Sequence, residues 1–479
     1  MKPFFLFLLL ALGAAMSFAE DRPNILFIYT DDQAPWAMGK SGSPDVSTPN
    51  LDKLAKESLY VPNSFTVTPV CSPSRASLLT SRYGTELGIT DWIKPRARFF
   101  KEDPSKQPGI NPDAPNFAKD LRRAGYRTAL IGKYHLGEKP ECHPLEIGFD
   151  IFTGFLAGGT SPENPKLEKE GEEQSMKGLT VDILTDEALD YLDKRKGETS
   201  PFLLCVHYRA PHAKWLPVAP EDWAPFENMD PKIAHPDYPG LDLERAKKMM
   251  REYLASVRGV DRNVGRLLEK LDEIKAQKNT VVIFTSDHGY NMGHNGIWHK
   301  GNGHWLIKKE LLPPGSENVP SGQRPNLYDN SVKVPTLIRW PAVVEAGTTT
   351  QHSITNLDWY PTFMELAAYP WEPEAPIRGR SLVTLLKGEA GDWEDEVFLQ
   401  YSTKHQSTTH MRGWRSHTHK LIRDFMNPGR DEFYDLVADP GETSNLINRI
   451  SPENQEIVDD FDRKITARMK EIEDEIALE

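Results

Sequence analysis

Cysteine is scarce in this chain. Its 479 residues carry three: Cys71, Cys142 and Cys205. Three is few and odd, which excludes a small scaffold stapled by disulfides and leaves stability to an apolar core. Positive charge is also in deficit, with 57 Lys and Arg against 70 Asp and Glu, a net charge of -13. Such a chain is a poor general binder of nucleic acid or of an anionic membrane. An anionic small substrate stays compatible, because a local cationic pocket outweighs the average field. Beyond the first 19 residues no apolar run is long enough to span a bilayer, so no membrane span is expected. No Asn-x-Ser/Thr sequon occurs, which leans toward a bacterial exported protein. Internal repeats and low-complexity tracts are missing as well.

The N-terminus has the pattern of a secretory signal over residues 1–19. Lys2 precedes an apolar stretch from Phe4 to Ala15, and Ser17-Phe18-Ala19 forms a small-x-small cleavage site. The expected location is periplasmic or extracellular. The remaining length calls for a large domain over 20–385 and a smaller one over 386–479, with a shift in composition near Gly388–Glu396.

Short apolar runs alternate with helical stretches. Strands are expected at Asn24–Thr30, Thr128–Gly132, Phe202–His207, Val281–Ser286 and Thr336–Trp340. They are apolar on both faces, as strands of a covered parallel sheet should be. Helices are expected from Thr48 to Ser58, Asn116 to Ala124, Asp182 to Arg195 and Asp242 to Lys278, the last interrupted near Gly259. The alternation predicts an α/β domain with a mainly parallel sheet flanked by helices. Trp92–Pro115, Thr153–Lys177, Arg209–Gly240 and Gly303–Pro325 are expected loops, long enough to be walls or lids of a site. Three short strands (Val397–Tyr401, Lys420–Arg423, Glu432–Leu436) and a polar helix over Pro452–Glu475 are expected in the smaller domain.

The expected strands end in polar groups: Asp31-Asp32, Lys133-Tyr134-His135, His207 with Ala210-Pro211-His212, and Asp287-His288. Ligands of open α/β sheets bind beyond the carboxyl ends of strands, so these four ends are expected to meet. Asp31, Asp32 and Asp287 together need a cation or a shared proton. Oxygen ligands favour calcium or magnesium over zinc, with His288 an unusual companion for a hard ion. Read alone, Asp31 and Asp32 fit a turn cap equally well. A lone histidine is more often structural than catalytic, which applies to His207, His294, His299 and His304. Lys94, Arg96 and Arg98 are either a contact for further anionic groups or a solvated loop.

The stretch Cys71-Ser-Pro-Ser-Arg75, continued by Ala-Ser-Leu-Leu-Thr-Ser81, resembles the maturation motif of the formylglycine-dependent sulfatases of the alkaline phosphatase superfamily. Ser81 stands where that family usually has glycine. Asn24–Asp32, Gly132-Lys-Tyr-His-Leu-Gly137, Ala210-Pro-His212, Ser286-Asp-His-Gly289 and the segment from Glu432 to Leu446 resemble further motifs of the family, in order along the chain. Tyr134 replaces the usual tryptophan. Gly296-Ile-Trp-His-Lys-Gly301 resembles the family's lysine motif, which normally runs directly into the counterpart of Tyr328–Pro335. Residues 302–326 therefore read as an insertion, and Lys300 is preferred over Lys308 or Lys309 as the sulfate-binding lysine.

The resemblance implies an alkaline phosphatase-like fold with a smaller C-terminal α+β domain, a short antiparallel sheet and a helix. It implies sulfate-ester hydrolysis with one calcium ion per chain, magnesium being less favoured, held by Asp31, Asp32, Asp287, His288 and residue 71. Cys71 would be oxidised to formylglycine by a maturation enzyme, and its hydrate would supply the nucleophile. Lys133 and Lys300 would neutralise sulfate oxygens, and Arg75 would orient the nucleophile. His212 would protonate the leaving oxygen, and His135 would take the proton that resets the aldehyde. Export and long loops point to a sulfated carbohydrate substrate. The same motifs suit a phosphodiesterase or phosphonate monoester hydrolase. A non-catalytic binder of sulfated glycans would need a lost catalytic residue, and every expected position is filled. Oligomeric state, linkage position and endo or exo action are not encoded in these motifs.

Overall fold

The structure, a computed structural model, describes residues 22–477; the expected signal segment lies outside them. A nine-stranded mixed sheet forms the centre. From edge to edge it contains Leu59–Tyr60, Leu337–Arg339, Thr280–Ser286, Asn24–Thr30, Phe202–His207, Arg127–Lys133, Ile151–Phe155, Lys166–Lys169 and Glu172–Ser175. The five strands from Thr280–Ser286 to Ile151–Phe155 are parallel to one another, and the outer ones run antiparallel. The central strands are apolar throughout because each face is covered. Phe27, Tyr29 and Cys205 pack on one side, and Leu26, Ile28 and Val206 pack on the other. Cys205 is thus a small core residue; burial pushes its thiol far above the ordinary range.

Parallel alignment sets the site. Tyr29 lies in register with His207 and with Thr285, so the ends at Asp31, at residue 208 and at Asp287 fall at one edge of the sheet. Gly132 pairs with His207, which brings Lys133 to the same edge. Close approach dictates glycine here. Gly132 has φ +119°, and a Cβ on it would sit 1.9 Å from the His207 carbonyl oxygen.

The helix Leu243–Glu273 runs without a break past Gly259, contrary to the expected interruption. The hydrogen of Gly259 leaves room for Asp222, whose carboxylate would lie 3.3 Å from a Cβ there and which Arg262 holds at 2.9 Å. The glycine is therefore a packing feature of a continuous helix. The expected loop Thr153–Lys177 contains the hairpin Lys166–Lys169 and Glu172–Ser175, an edge built of exposed charge with little apolar alternation to betray it. Gly303–Pro325 likewise contains strands, described below.

Within 386–479 four antiparallel strands form a sheet, Val397–Lys404, Thr408–Arg415, His419–Asp424 and Glu432–Asp435, against which the helix Pro452–Glu471 packs. The sequence pattern indicates three of these. Thr408–Arg415 is hidden by its two buried arginines, which look like surface residues in a sequence. Arg412 pairs with Asp474 at 2.6 Å, and Arg415 pairs with Asp329 at 2.9 Å. Lys420 bonds both Asp329 and Glu442 at 2.6 Å, tying the small sheet to the body of the protein.

Gly132→Ala should destabilise the fold by about 2–4 kcal/mol, because both the backbone angle and the His207 carbonyl oppose a Cβ. Gly429→Ala, where a Cβ meets nothing within 4 Å, should stay within about 0.5 kcal/mol. Denaturant unfolding of the two variants gives the comparison.

Candidate active site

The helix Cys71–Thr80 is buried over its whole length and begins at the cysteine. Its N-terminal end favours negative charge at residue 71. Ser74 anchors the first turn, accepting a hydrogen bond from Thr66 Oγ1 at 2.8 Å and donating to the carbonyl of Asp287, while Asn356 Nδ2 donates to the Ser74 carbonyl at 2.9 Å. The helix ends at Ser81, whose φ of +55° explains why glycine is usual there. Serine is held in that conformation because its Oγ donates to Leu357 O at 2.7 Å and accepts from Gly379 N at 2.9 Å.

All the sequence-derived site residues meet at this helix start. Lys133 Nζ lies 2.6 Å from Asp31 Oδ2, and Lys300 Nζ lies 2.6 Å from Asp32 Oδ1 and 3.0 Å from Cys71 Sγ. Arg75 donates from Nε and Nη2 to Asp287 Oδ2 at 3.1 and 2.9 Å, and from Nη1 to the Lys133 carbonyl at 3.2 Å. Its guanidinium rests 5.1 Å from the centre of the Tyr29 ring. Among the three lysines considered, Lys300 alone reaches this centre; Lys308 and Lys309 are exposed loop residues.

Burial and charge shape the titrations. Burial opposes ionisation of Asp31, but Lys133 overrides it and holds this carboxyl well below the usual range. Burial pushes Asp32 up, and pushes Asp287 up to about 6. At Cys71 burial is outweighed by Lys133 and Lys300, which bring the thiol down to about 7. Burial, then the Lys133 charge, keeps His135 neutral. His135 Nε2 donates to the Ile93 carbonyl at 2.9 Å, and its Nδ1 is buried without a hydrogen-bond partner, a free lone pair suited to accepting a proton. His212 Nδ1 donates to the Ala213 carbonyl at 2.6 Å, leaving Nε2 for a ligand. Burial brings its pKa down to about 3.

The donor set fits a metal ion. Ligand atoms of Asp31, Cys71, Asp287 and His288 lie within 4.8 Å of one another, as do those of Asp31, Asp32, Cys71 and His212. His288 Nδ1 donates to the Gly289 carbonyl at 3.0 Å, which leaves a lone pair on Nε2. That Nε2 sits 3.2 Å from one oxygen of Asp32 and 3.2 Å from one of Asp287, yet has no hydrogen-bond partner, and Asp32 Oδ2 has none either. Unprotonated nitrogen among buried carboxylate oxygens is the environment a cation relieves. Asp32 and His135 carry φ of +71° and +61°, strained values for residues with side chains, as expected where geometry serves a site.

Cys71 opens into a cavity of about 380 Å³. His135, His212 and Lys300 line it with Cys71, as do Trp92, His304, His405 and Gln406. His304 is thus a pocket residue. Lys94, Arg96 and Arg98 are not: Lys94 and Arg98 lie over the Phe99 ring and Arg96 bonds the Glu138 carbonyl. The wall from Thr403 to Ser407 belongs to the C-terminal sheet and carries no sequence signal of a site. It is fixed by Asp91, whose carboxylate accepts from Thr403 Oγ1 at 2.8 Å and Lys404 N at 3.1 Å, while His405 Nε2 donates to the Trp92 carbonyl at 2.7 Å. Among the described residues no helix is long and apolar enough to cross a membrane.

The sulfatase family model matches residues 23–369, and a model described as N-sulphoglucosamine sulphohydrolase, C-terminal, matches residues 323–471. An N-acetylglucosamine-6-O-sulfatase from Bacteroides thetaiotaomicron is 29% identical, over 89% of this chain and 83% of that protein. An ulvan-active sulfatase from Formosa agariphila is 28% identical, over 95% and 82%. A solved structure of a protein in complex with its substrate D-glucosamine-2-N,6-O-disulfate superposes with a TM-score of 0.79 at 27% identity, covering 95% of this chain and 98% of that one. The large mixed sheet, the buried cluster at its strand ends and these matches agree, and the chain belongs to the sulfatase family, as a sulfuric ester hydrolase.

Proposed function

We propose that this enzyme removes sulfate from a sulfated carbohydrate, using formylglycine made from Cys71 and a calcium ion. The observation that carries the reading is the position of Cys71: first in a buried helix, beside Lys300, among three carboxylates, and open to a cavity of sugar size. Relatives that act on N-acetylglucosamine sulfate and on ulvan support the carbohydrate assignment. So does the rest of the lining, where Trp92, His304, His405 and Gln406 offer aromatic rings and hydrogen-bonding groups to a hydroxylated sugar.

Asp31, Asp32, Asp287 and His288, with residue 71, would hold the ion; their oxygens suit calcium, and magnesium fits less well with so many protein ligands. When bound, the ion polarises the sulfate oxygens and favours the ionised nucleophile. Formylglycine, once hydrated, presents two hydroxyls on one carbon, so one can attack sulfur and the other can later lose its proton. Lys133 and Lys300 neutralise the sulfate oxygens from fixed positions, and Arg75, clamped on Asp287, orients residue 71. His135 accepts a proton at its unpartnered Nδ1. His212 delivers one from Nε2 to the leaving oxygen, and the negative charge of a bound sulfate raises its pKa from the low value set by burial. A cleaved signal peptide at 1–19, directing the enzyme to the periplasm or the exterior, and a maturation enzyme acting on Cys71 complete the reading.

Four measurements test it. The peptide spanning Cys71, taken from protein co-expressed with a maturation enzyme, should carry an aldehyde in place of the thiol; a persistent thiol sinks the nucleophile assignment. In the matured enzyme Lys300→Ala should lower kcat/KM for sulfate release by about 10²–10³, while Lys308→Ala and Lys309→Ala change it by less than about twofold. Chelation should abolish turnover and lower Tm, and added calcium should restore both more fully than magnesium. At a hundredfold excess over Kd the ion contributes about 2.7 kcal/mol of stability. Sulfate release from aryl esters but from no sulfated sugar would refute the carbohydrate assignment.

A further inference from the structure

A second cavity, of about 250 Å³, lies behind one wall of the catalytic pocket. That wall is the ribbon formed by Asn302–Trp305 and Gln323–Pro325. Side chains alternate across a strand, and here the alternation divides two spaces. Asn302, His304, Gln323 and Pro325 line the catalytic pocket, whereas Trp305 and Arg324 line the second cavity. The register agrees: Asn302 faces Pro325, His304 faces Gln323, and Gly303 faces Arg324 between them. Gln323, on the edge strand, borders both spaces, its amide donating to Gln406 Oε1 at 3.0 Å and accepting from Ser407 Oγ.

Two arginines reach the second cavity and differ in their surroundings. Arg324 is fully engaged, donating to Glu432 Oε1 and Tyr328 Oη at 2.9 Å each and to the Pro325 carbonyl at 2.9 Å. Arg430, half-buried in the turn Pro428–Arg430, has a guanidinium with no hydrogen bond or ion pair to any described residue. The neighbouring acids are engaged elsewhere: Asp431 by Arg423 at 2.9 Å, Glu432 by Arg324, and Asp424 by the backbone N–H groups of His410, Met426 and Asn427. Burial, then the Arg324 charge, pulls the Arg430 pKa down, so an anion placed here would stabilise the site. Trp305, half-buried and stacked on Tyr238 through one ring face, lines the same cavity. An aromatic side chain and a guanidinium without a bonded partner, lining one cavity, are the chemistry that receives a sugar bearing an anionic substituent.

We propose that this cavity binds a further sulfated saccharide unit of the substrate chain, with Arg430 holding its sulfate and Trp305 its ring face, while the unit being cleaved occupies the catalytic pocket. This rests on the carbohydrate reading above. The substrate chain would pass from one space to the other over Gln323, so the enzyme would act on oligosaccharides with more than one sulfated unit.

The test uses the full chain with Cys71 left as a thiol, which binds without turnover. Calorimetric titrations with a carrageenan hexasaccharide and with a heparin hexasaccharide, each also in desulfated form, compare wild type with Arg430→Ala and Arg430→Glu. For the tighter sulfated probe, Arg430→Ala should weaken binding roughly tenfold and Arg430→Glu further, while the desulfated probe distinguishes none of the three. Aryl sulfate turnover by the matured variants should stay within about twofold of wild type, which also reports that they fold. Equal affinity of wild type and both variants, or no binding of either sulfated probe by wild type, overturns the proposal. Failure of the carbohydrate reading looks different: matured wild-type enzyme cleaves aryl sulfate and no sulfated sugar, whatever the titrations give.

Discussion

Buried charge must be answered by buried charge, and the reaction centre is organised around that requirement. Asp31, Asp32 and Asp287 are fully shielded from solvent, as is Lys133, and Arg75 and Lys300 are nearly so. Each carboxylate has a basic partner within 3 Å: Lys133 for Asp31, Lys300 for Asp32, Arg75 for Asp287. Isolated, any of these ions would cost several kcal/mol to bury; together the three acids and three bases cancel. A divalent cation added to this set would leave two positive charges. A sulfate monoester and an ionised nucleophile carry two negative ones. With those groups bound the centre would be neutral in two states, bare and fully loaded, and charged in partly loaded ones. That is a physical reason for cation, substrate and nucleophile to act as a unit.

Parallel strand topology is what makes such a concentration possible. The backbone fixes the acids at strand ends, where register leaves little freedom, and the longer lysine and arginine side chains come in from other elements to meet them. The same geometry made much of the site legible in the sequence. Both-faced apolar strands announce the sheet, and the residue following each strand falls at its carboxyl edge. Cys71, Arg75, Lys133, His135, Asp287 and His288 lie in compact motifs of a few residues, because each motif is one strand end or one helix turn. Short motifs survive in a sequence when the chemistry they serve is local.

The illegible parts are those built by long-range pairing. Arg412 and Arg415 look like surface residues until Asp474 and Asp329 are seen opposite them, and with them a whole strand escapes notice. The hairpin Lys166–Ser175 has an exposed edge of charge, so no period of two marks it. The pocket wall from Thr403 to Ser407 depends on Asp91, more than three hundred positions away in the chain. No local pattern encodes that contact. Gly259 misled for the opposite reason: its local propensity against helix is real, but the helix needs the space it leaves for Asp222.

The segment 302–326, which the family resemblance marks as an expected insertion, shows how the two kinds of information combine. Its ends are stitched together: Asn326 N donates to the Gly301 carbonyl at 2.9 Å, and Asn326 Nδ2 donates to the Lys300 carbonyl at 3.0 Å. The chain therefore leaves and returns at one point, and Lys300 keeps its place against Asp32 as if Tyr328 followed directly. Ends already held together remove most of the entropic objection to a long excursion. The excursion is not an idle loop either, since its two strands form the ribbon that divides the catalytic pocket from the cavity behind it. The wall is thus carried on an anchor that is fixed separately, so its length and lining can differ without displacing Lys300 from the buried cluster.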